Sequence, residues 1–227
     1  MDRFLFPKWV NKFVPLLLGG VLVAGAYGGT VLMVATSPEL VNRGYAPEQP
    51  VPFSHKTHAG RLKMDCRYCH NTVEEASHAA VPPTSTCGNC HSGSDAQGDV
   101  AYASVHAKSV ALGPVRESLA SGEPIPWKRV HNLPDFVFFN HSAHVTRGVS
   151  CVECHGRVDR MDVVTVVEPI SMSWCLECHR DPDGRIRPVE EVTNMEWAPE
   201  EDARVIGARV REELNIHPSQ NCSTCHR

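Results

Sequence analysis

Five Cys-x-x-Cys-His motifs, one long uncharged apolar run, and 16 glycines with 17 prolines in 227 residues together predict an unusual fold class. The expectation is a mostly irregular chain with short helices, organised by covalently held haem, plus one amino-terminal transmembrane helix.

The motifs carry the chemistry. They are Cys66-Arg67-Tyr68-Cys69-His70, Cys87-Gly88-Asn89-Cys90-His91, Cys151-Val152-Glu153-Cys154-His155, Cys175-Leu176-Glu177-Cys178-His179 and Cys222-Ser223-Thr224-Cys225-His226. All ten cysteines are used, and a histidine follows each pair. A disulfide scaffold or a zinc site would not demand that histidine five times over. Two thiols on one tight turn can each form a thioether to one porphyrin, and the adjacent histidine then reaches the iron as its proximal ligand. The class is therefore a multihaem cytochrome c with five covalently attached haem c groups. Their proximal ligands are His70, His91, His155, His179 and His226.

The apolar run comes first along the chain. No charged residue lies between Lys12 and Glu39, and Phe13 to Ala35 is long enough to cross a bilayer as one helix. Arg3, Lys8 and Lys12 precede it against Asp2 alone, which places the amino terminus in the cytoplasm. Ala24-Gly25-Ala26 resembles a signal-peptidase site, but the apolar run continues for nine residues beyond it, so an uncleaved anchor is expected. Gly20, Ala24 and Gly28 form a stripe of small residues of the kind that lets another helix approach closely. Residues 1–36 are thus a cytoplasmic tip and anchor. Residues 37–52, with four prolines, are expected to be a linker, and 53–227 the pentahaem domain.

Within that domain lies an internal repeat. Residues 53–91 run from Phe53-Ser54-His55-Lys56-Thr57-His58 through two haem motifs, and residues 139–179 run from Phe139-Asn140-His141-Ser142-Ala143-His144 through two more. The fifth motif stands outside the repeat. Regular structure is otherwise sparse: part of Ala101 to Ala120 and the stretch Pro199 to Leu214 predict helices, and Val163 to Val167 a short strand. Gly207 inside the second helix argues somewhat against it.

Eight histidines remain after the proximal five, enough to close every iron. His55 with His58, and His141 with His144, are the sharpest distal candidates, because a three-residue separation sets both rings on one side of a turn, from which they can reach different irons. His131, between the repeats, comes next. His78, His106 and His217 have weaker support. Met172, three residues before Cys175, is the competing thioether ligand, which would raise the potential of its haem.

The near-neutral formal charge of −4 excludes the basic excess of a nucleic-acid binder. Irons closed by two axial ligands favour electron transfer over bond chemistry, so no catalytic centre is expected in this chain alone.

The layout resembles the pentahaem, membrane-anchored cytochrome c subunit of bacterial alternative complex III, a quinol:electron-acceptor oxidoreductase. The likeness is carried by FSHKTH ending at His58, PWKRVHNLPD ending at Asp135, FFNHSAH ending at His144, CHGRVDRM ending at Met161, ISMSWCLECHRDP ending at Pro182 and the terminal motif. The tandem units also look like those of c3 and c7 multihaem cytochromes. The resemblance implies His55, His58, His131, His141 and His144 as distal ligands, with Met172 the challenger at one haem. It further implies a single-pass bacterial inner-membrane protein with a periplasmic haem domain. Electrons from membrane quinol oxidation would pass to a periplasmic acceptor. Implied partners are an iron–sulfur subunit, multi-helix membrane subunits and a monohaem cytochrome. A freestanding quinol dehydrogenase feeding a periplasmic reductase, and a multihaem oxyanion or amine reductase, are the alternatives.

Overall fold

The computed structural model of the chain describes residues 6–35, 42–92, 105–106 and 108–227. It divides into two compact units, Met1–Asn42 and Arg43–Arg227. The first holds helix α1 (Val10–Ala35), 26 residues with mean hydropathy 1.9 in its central window. At about 1.5 Å per residue it exceeds the roughly 30 Å of a bilayer's hydrocarbon core. It begins three residues before the expected start, taking Lys12 into its first turn.

The second unit begins inside the expected linker, and residues 43–52 are tied into it. Gly44 N–H donates to Val166 O (2.8 Å) and Val166 N–H to Tyr45 O (3.0 Å). Gln49 exchanges two bonds with the Lys128 backbone, and Val51 is buried. Among the described residues the exchange with residues 44 and 45 is all the backbone pairing around Val163 to Val167, and no strand is assigned there. Among the described residues, bridging is confined to Val137 with His226 and Val149 with Ile186.

The helices are short, and most begin just before or inside a haem motif. They are α2 (Cys66–Cys69), α3 (Thr84–His91), α4 (Gly113–Ser121), α5 (His141–Val145), α6 (Cys151–His155), α7 (Met172–Arg180), α8 (Ala203–Glu213) and α9 (Cys222–Cys225). Of the two helices predicted outside the motifs, α4 occupies only the end of Ala101 to Ala120, with Pro114 at its start; residues 101–104 and 107 lie outside the described residues. Helix α8 starts later than expected because Asp202 caps it, accepting from Arg204 N–H.

Apolar burial is thin. It falls into three small clusters: Ile186, Ile206, Val210 and Ile216; Val51, Val115 and Ile125; and Val73, Val145 and Val192. A unit of this length with so little side-chain core must draw packing from elsewhere, as the haem-organised class predicts. The turn at Val158–Arg160 packs on the π-helical turn Lys56–Arg61, tied to it by Lys56 N–H donating to Met161 O (3.0 Å), and beside it the buried Asp159 carboxylate accepts two bonds from Arg157.

The Arg157 guanidinium holds the Asp159 carboxyl below the usual carboxylate range. A group whose pKa is depressed on folding contributes stability above its unfolded pKa, about 3.9, and loses it as pH falls through the folded value. Asp159→Asn is therefore expected to cost about 1.5 kcal/mol at neutral pH. The gap to the parent chain should narrow as pH falls below the unfolded carboxylate range and through the folded value, in thermal unfolding measured across pH.

Candidate haem sites

Each haem motif is placed by a helix start. The side chain preceding the first cysteine caps the helix in three motifs: Asp65 accepts from Arg67 N–H, Ser150 from Val152 N–H, and Asn221 from Ser223 N–H. Ser171 caps α7 in the fourth by accepting from Trp174 N–H. Each cap satisfies an amide that the helix start leaves unpaired and sets the direction in which the motif leaves the preceding chain. Sequence reasoning missed these residues, although Asp, Ser or Asn directly before a helix-forming motif is a legible signal.

The histidines then pair two by two. Two imidazoles bound through nitrogen on opposite sides of one metal ion, at about 2 Å per bond, hold their ring centres about 6.3 Å apart. The ring centres of His55 and His70 are 6.5 Å apart, those of His58 and His91 6.3 Å, those of His141 and His155 6.4 Å, and those of His144 and His179 6.1 Å. The His55–His70 and His141–His155 rings are nearly parallel, at 5° and 9°. Each pair joins one FxHxxH histidine to the histidine of one CxxCH motif, and the same assignment holds in both copies.

The rings are also oriented. Nδ1 of His58, His70, His91, His141, His144 and His179 lies 2.6–2.9 Å from the backbone oxygens of Ser54, Ala80, Val105, Ser77, Asn140 and Ser219 respectively. His226 Nδ1 lies 3.3 Å from Phe136 O. A carbonyl only accepts, so Nδ1 carries the proton and Nε2 keeps its lone pair for a metal. Phe53 stacks on His58 and meets His55 edge-on, and Phe139 does the same for His144 and His141. The phenylalanine of FxHxxH is thus the wedge that holds two imidazoles apart.

Burial keeps several of these rings neutral, the form a metal requires. It lowers His55 to about 4 and His155 to about 3, helped by the neighbouring imidazoles, and it also lowers His131 and His144. His55 Nδ1 and His131 Nε2 are buried without a hydrogen-bond partner. Among the described residues no three His, Cys, Asp or Glu side chains converge on one point. Paired imidazoles beside cysteine turns fit haem c.

The remaining predicted residues fall differently. His131 lies against His155, with ring centres 4.4 Å apart at 81°, too close to face it across an iron. Met172 opens α7 and is 66 % exposed. The ring beside His226 is that of Phe136, at 5.9 Å. Neither His131 nor Met172 therefore gains the geometric support that the FxHxxH histidines have. His78, His106 and His217 are exposed.

Comparison with known proteins points to the same chemistry. Residues 31–113 match the class III cytochrome C family, and residues 137–227 match cytochrome c7 and related cytochrome c. The chain is also similar to a protein of Nitratidesulfovibrio vulgaris named menaquinone reductase, multiheme cytochrome c subunit. The two are 39 % identical over 111 residues, 48 % of this chain and 46 % of that protein, so the match spans about half the length of the relative.

Proposed function

This chain is a multihaem cytochrome c that resembles a quinone-linked electron-transfer subunit, and from that premise we propose that it carries five haem c groups within a membrane quinol-oxidising complex of the alternative complex III kind. The observation that carries the proposal is the set of four histidine pairs at metal-bridging separation, each beside its own CxxCH motif.

The residues hold the groups as follows. Cys66, Cys69, Cys87, Cys90, Cys151, Cys154, Cys175, Cys178, Cys222 and Cys225 attach them. His70 with His55, His91 with His58, His155 with His141, and His179 with His144 ligate four irons, and His226 ligates the fifth. When bound, haem supplies one-electron chemistry at a potential set by its axial ligands and burial. The chain's own contribution is orientation: the carbonyls that fix each Nδ1–H, the caps that aim each cysteine turn, and the phenylalanine wedges.

Helix α1 anchors the domain in the bacterial inner membrane with the haem unit on the periplasmic side. An iron–sulfur subunit, multi-helix membrane subunits and a monohaem cytochrome are its partners, and a periplasmic acceptor takes the electrons. A second reading, with electrons running from a periplasmic donor toward quinone, is favoured by the name of the Nitratidesulfovibrio relative.

Pyridine haemochrome and intact-mass measurements on the full chain in detergent are expected to give five haems per polypeptide. Low-temperature EPR should show low-spin bis-histidine signals from four of them and a distinct fifth signal. Four or fewer covalent haems, or predominantly high-spin iron, would overturn the proposal. Co-purification with an iron–sulfur subunit and oxidation of quinol by the assembled complex would favour the first direction. Reduction of quinone by a reduced periplasmic donor would favour the second.

A further inference from the structure

Hydrogen bonds link the haem motifs and their ligand histidines to one another in a pattern that does not follow the sequence order. The first and second sites take their distal ligands, His55 and His58, from one turn, and Tyr68 of the first motif accepts a hydrogen bond from Asn89 of the second at 3.1 Å. The third and fourth take theirs, His141 and His144, from α5.

The repeats meet through their first members. Asp65, the cap of the first motif, accepts from the Thr193 hydroxyl (2.9 Å), while Val192 O next to it accepts from Cys151 N–H (3.3 Å). The carbonyl that orients His141 of the third site belongs to Ser77, seven residues beyond His70.

The fifth site joins the fourth. Ser219 O accepts from His179 Nδ1 at 2.6 Å, and the Ser219 hydroxyl bonds Thr224 inside the fifth motif at 2.9 Å. The exposure of the cysteines agrees with this order. Cys90 of the second motif and Cys222 of the fifth are exposed, whereas the other eight are partly covered.

We infer that the five sites form one unbranched row in the order second, first, third, fourth, fifth, with the Ser77–His141 hydrogen bond as the joint between the repeats. The second and fifth sites are its two ends, where redox partners reach the row. This inference rests on the five-haem reading above. It adds that the sites flanking the joint, the first and third, are interior and open to no partner directly.

The test uses the electrostatic influence of each haem on its neighbours, which falls with distance. Replacing a distal histidine by methionine raises that haem's potential, so the site is already reduced when its neighbours titrate. In spectroelectrochemical titration of the full chain, with EPR assignment of each step, His58→Met is expected to shift one other step, that of the first site. His55→Met is expected to shift two, those of the second and third sites.

A His58→Met chain in which two or more other steps shift would overturn the row, as would a His55→Met chain that leaves the third site unmoved. Iron-to-iron distances from an experimental structure of the haem-loaded parent chain test the same order without any substitution. They should be shortest between the consecutive sites of the proposed order, and a first-to-third separation longer than second-to-third would overturn it. A chain with five haems in another order sinks only this inference, whereas a chain with fewer haems sinks the function proposed above.

Discussion

Arg187→Ala is expected to lower the unfolding free energy of the haem-loaded chain by about 3–5 kcal/mol, the range for removing one partner of a buried ion pair. Arg187 is 6 % exposed. One of its guanidinium nitrogens donates to Glu153 Oε1 at 2.9 Å, another to Asn194 O at 3.2 Å, and the cation lies 4.6 Å from the centre of the Trp197 ring. Glu153 sits inside the third haem motif, between Cys151 and Cys154. Removing the arginine leaves the Glu153 carboxylate, on a side chain 20 % exposed in the intact pair, without its cation beside a site that must hold two cysteines and an imidazole in register. Two effects are expected together: a lower thermal midpoint in the full chain, and looser Soret-region circular dichroism of one haem before global unfolding. A cost below about 1 kcal/mol would mean that water replaces the pair without difficulty. The Arg187→Met, Glu153→Leu double variant is expected to recover much of the loss, because desolvation offsets most of a buried pair's attraction.

Gly207→Ala is expected to destabilise the chain by more than about 1 kcal/mol, although alanine is the better helix former by nearly that amount. Helix α8 lies directly against the turn at Asp183–Arg185, and a β-carbon at position 207 would overlap the Asp183 carbonyl and stand 3.0 Å from Ile186 O. Both obstacles are backbone, so neither can rotate away as a side chain would. The helix must move off the turn, opening the cluster of Ile186, Ile206, Val210 and Ile216. Ala208→Gly, one residue on and exposed, is the control: it should lose only the propensity difference of about 1 kcal/mol. If chemical denaturation shows Gly207→Ala to be as stable as the parent, the helix is free to slide and the close approach does not hold it.

Gly207 also illustrates where a sequence stops being informative. In the one-dimensional pattern it weakens a helix; in the structure it permits one, and the cause is the carbonyl of Asp183, far back along the chain. The haem motifs and the FxHxxH elements were legible because their chemistry is local: the two cysteines of a motif, and the two histidines of an FxHxxH element, meet their functional requirement within one turn. Which proximal histidine each faces was not legible, and the structure pairs His55 with His70 and His141 with His155 in the same way in both copies. The orienting groups were illegible for a physical reason, since Ala80, Val105 and Ser219 act through backbone oxygens that every residue carries. The Arg187–Glu153 pair spans 34 positions and leaves no local periodicity. The caps Ser150 and Asn221 were legible and overlooked. His131 was expected on the strength of its place between the copies, and the structure sets its ring beside that of His155.

The Ser77 carbonyl has a further consequence. It belongs to the first copy, yet it orients His141 of the second, while Ala76 O accepts from Ser142 N–H at 3.2 Å. The two copies are therefore not divisible into self-sufficient modules. Cutting the chain between residues 91 and 139 would give two fragments that each retain their cysteines, but the second would enter haem maturation with one imidazole free to spin.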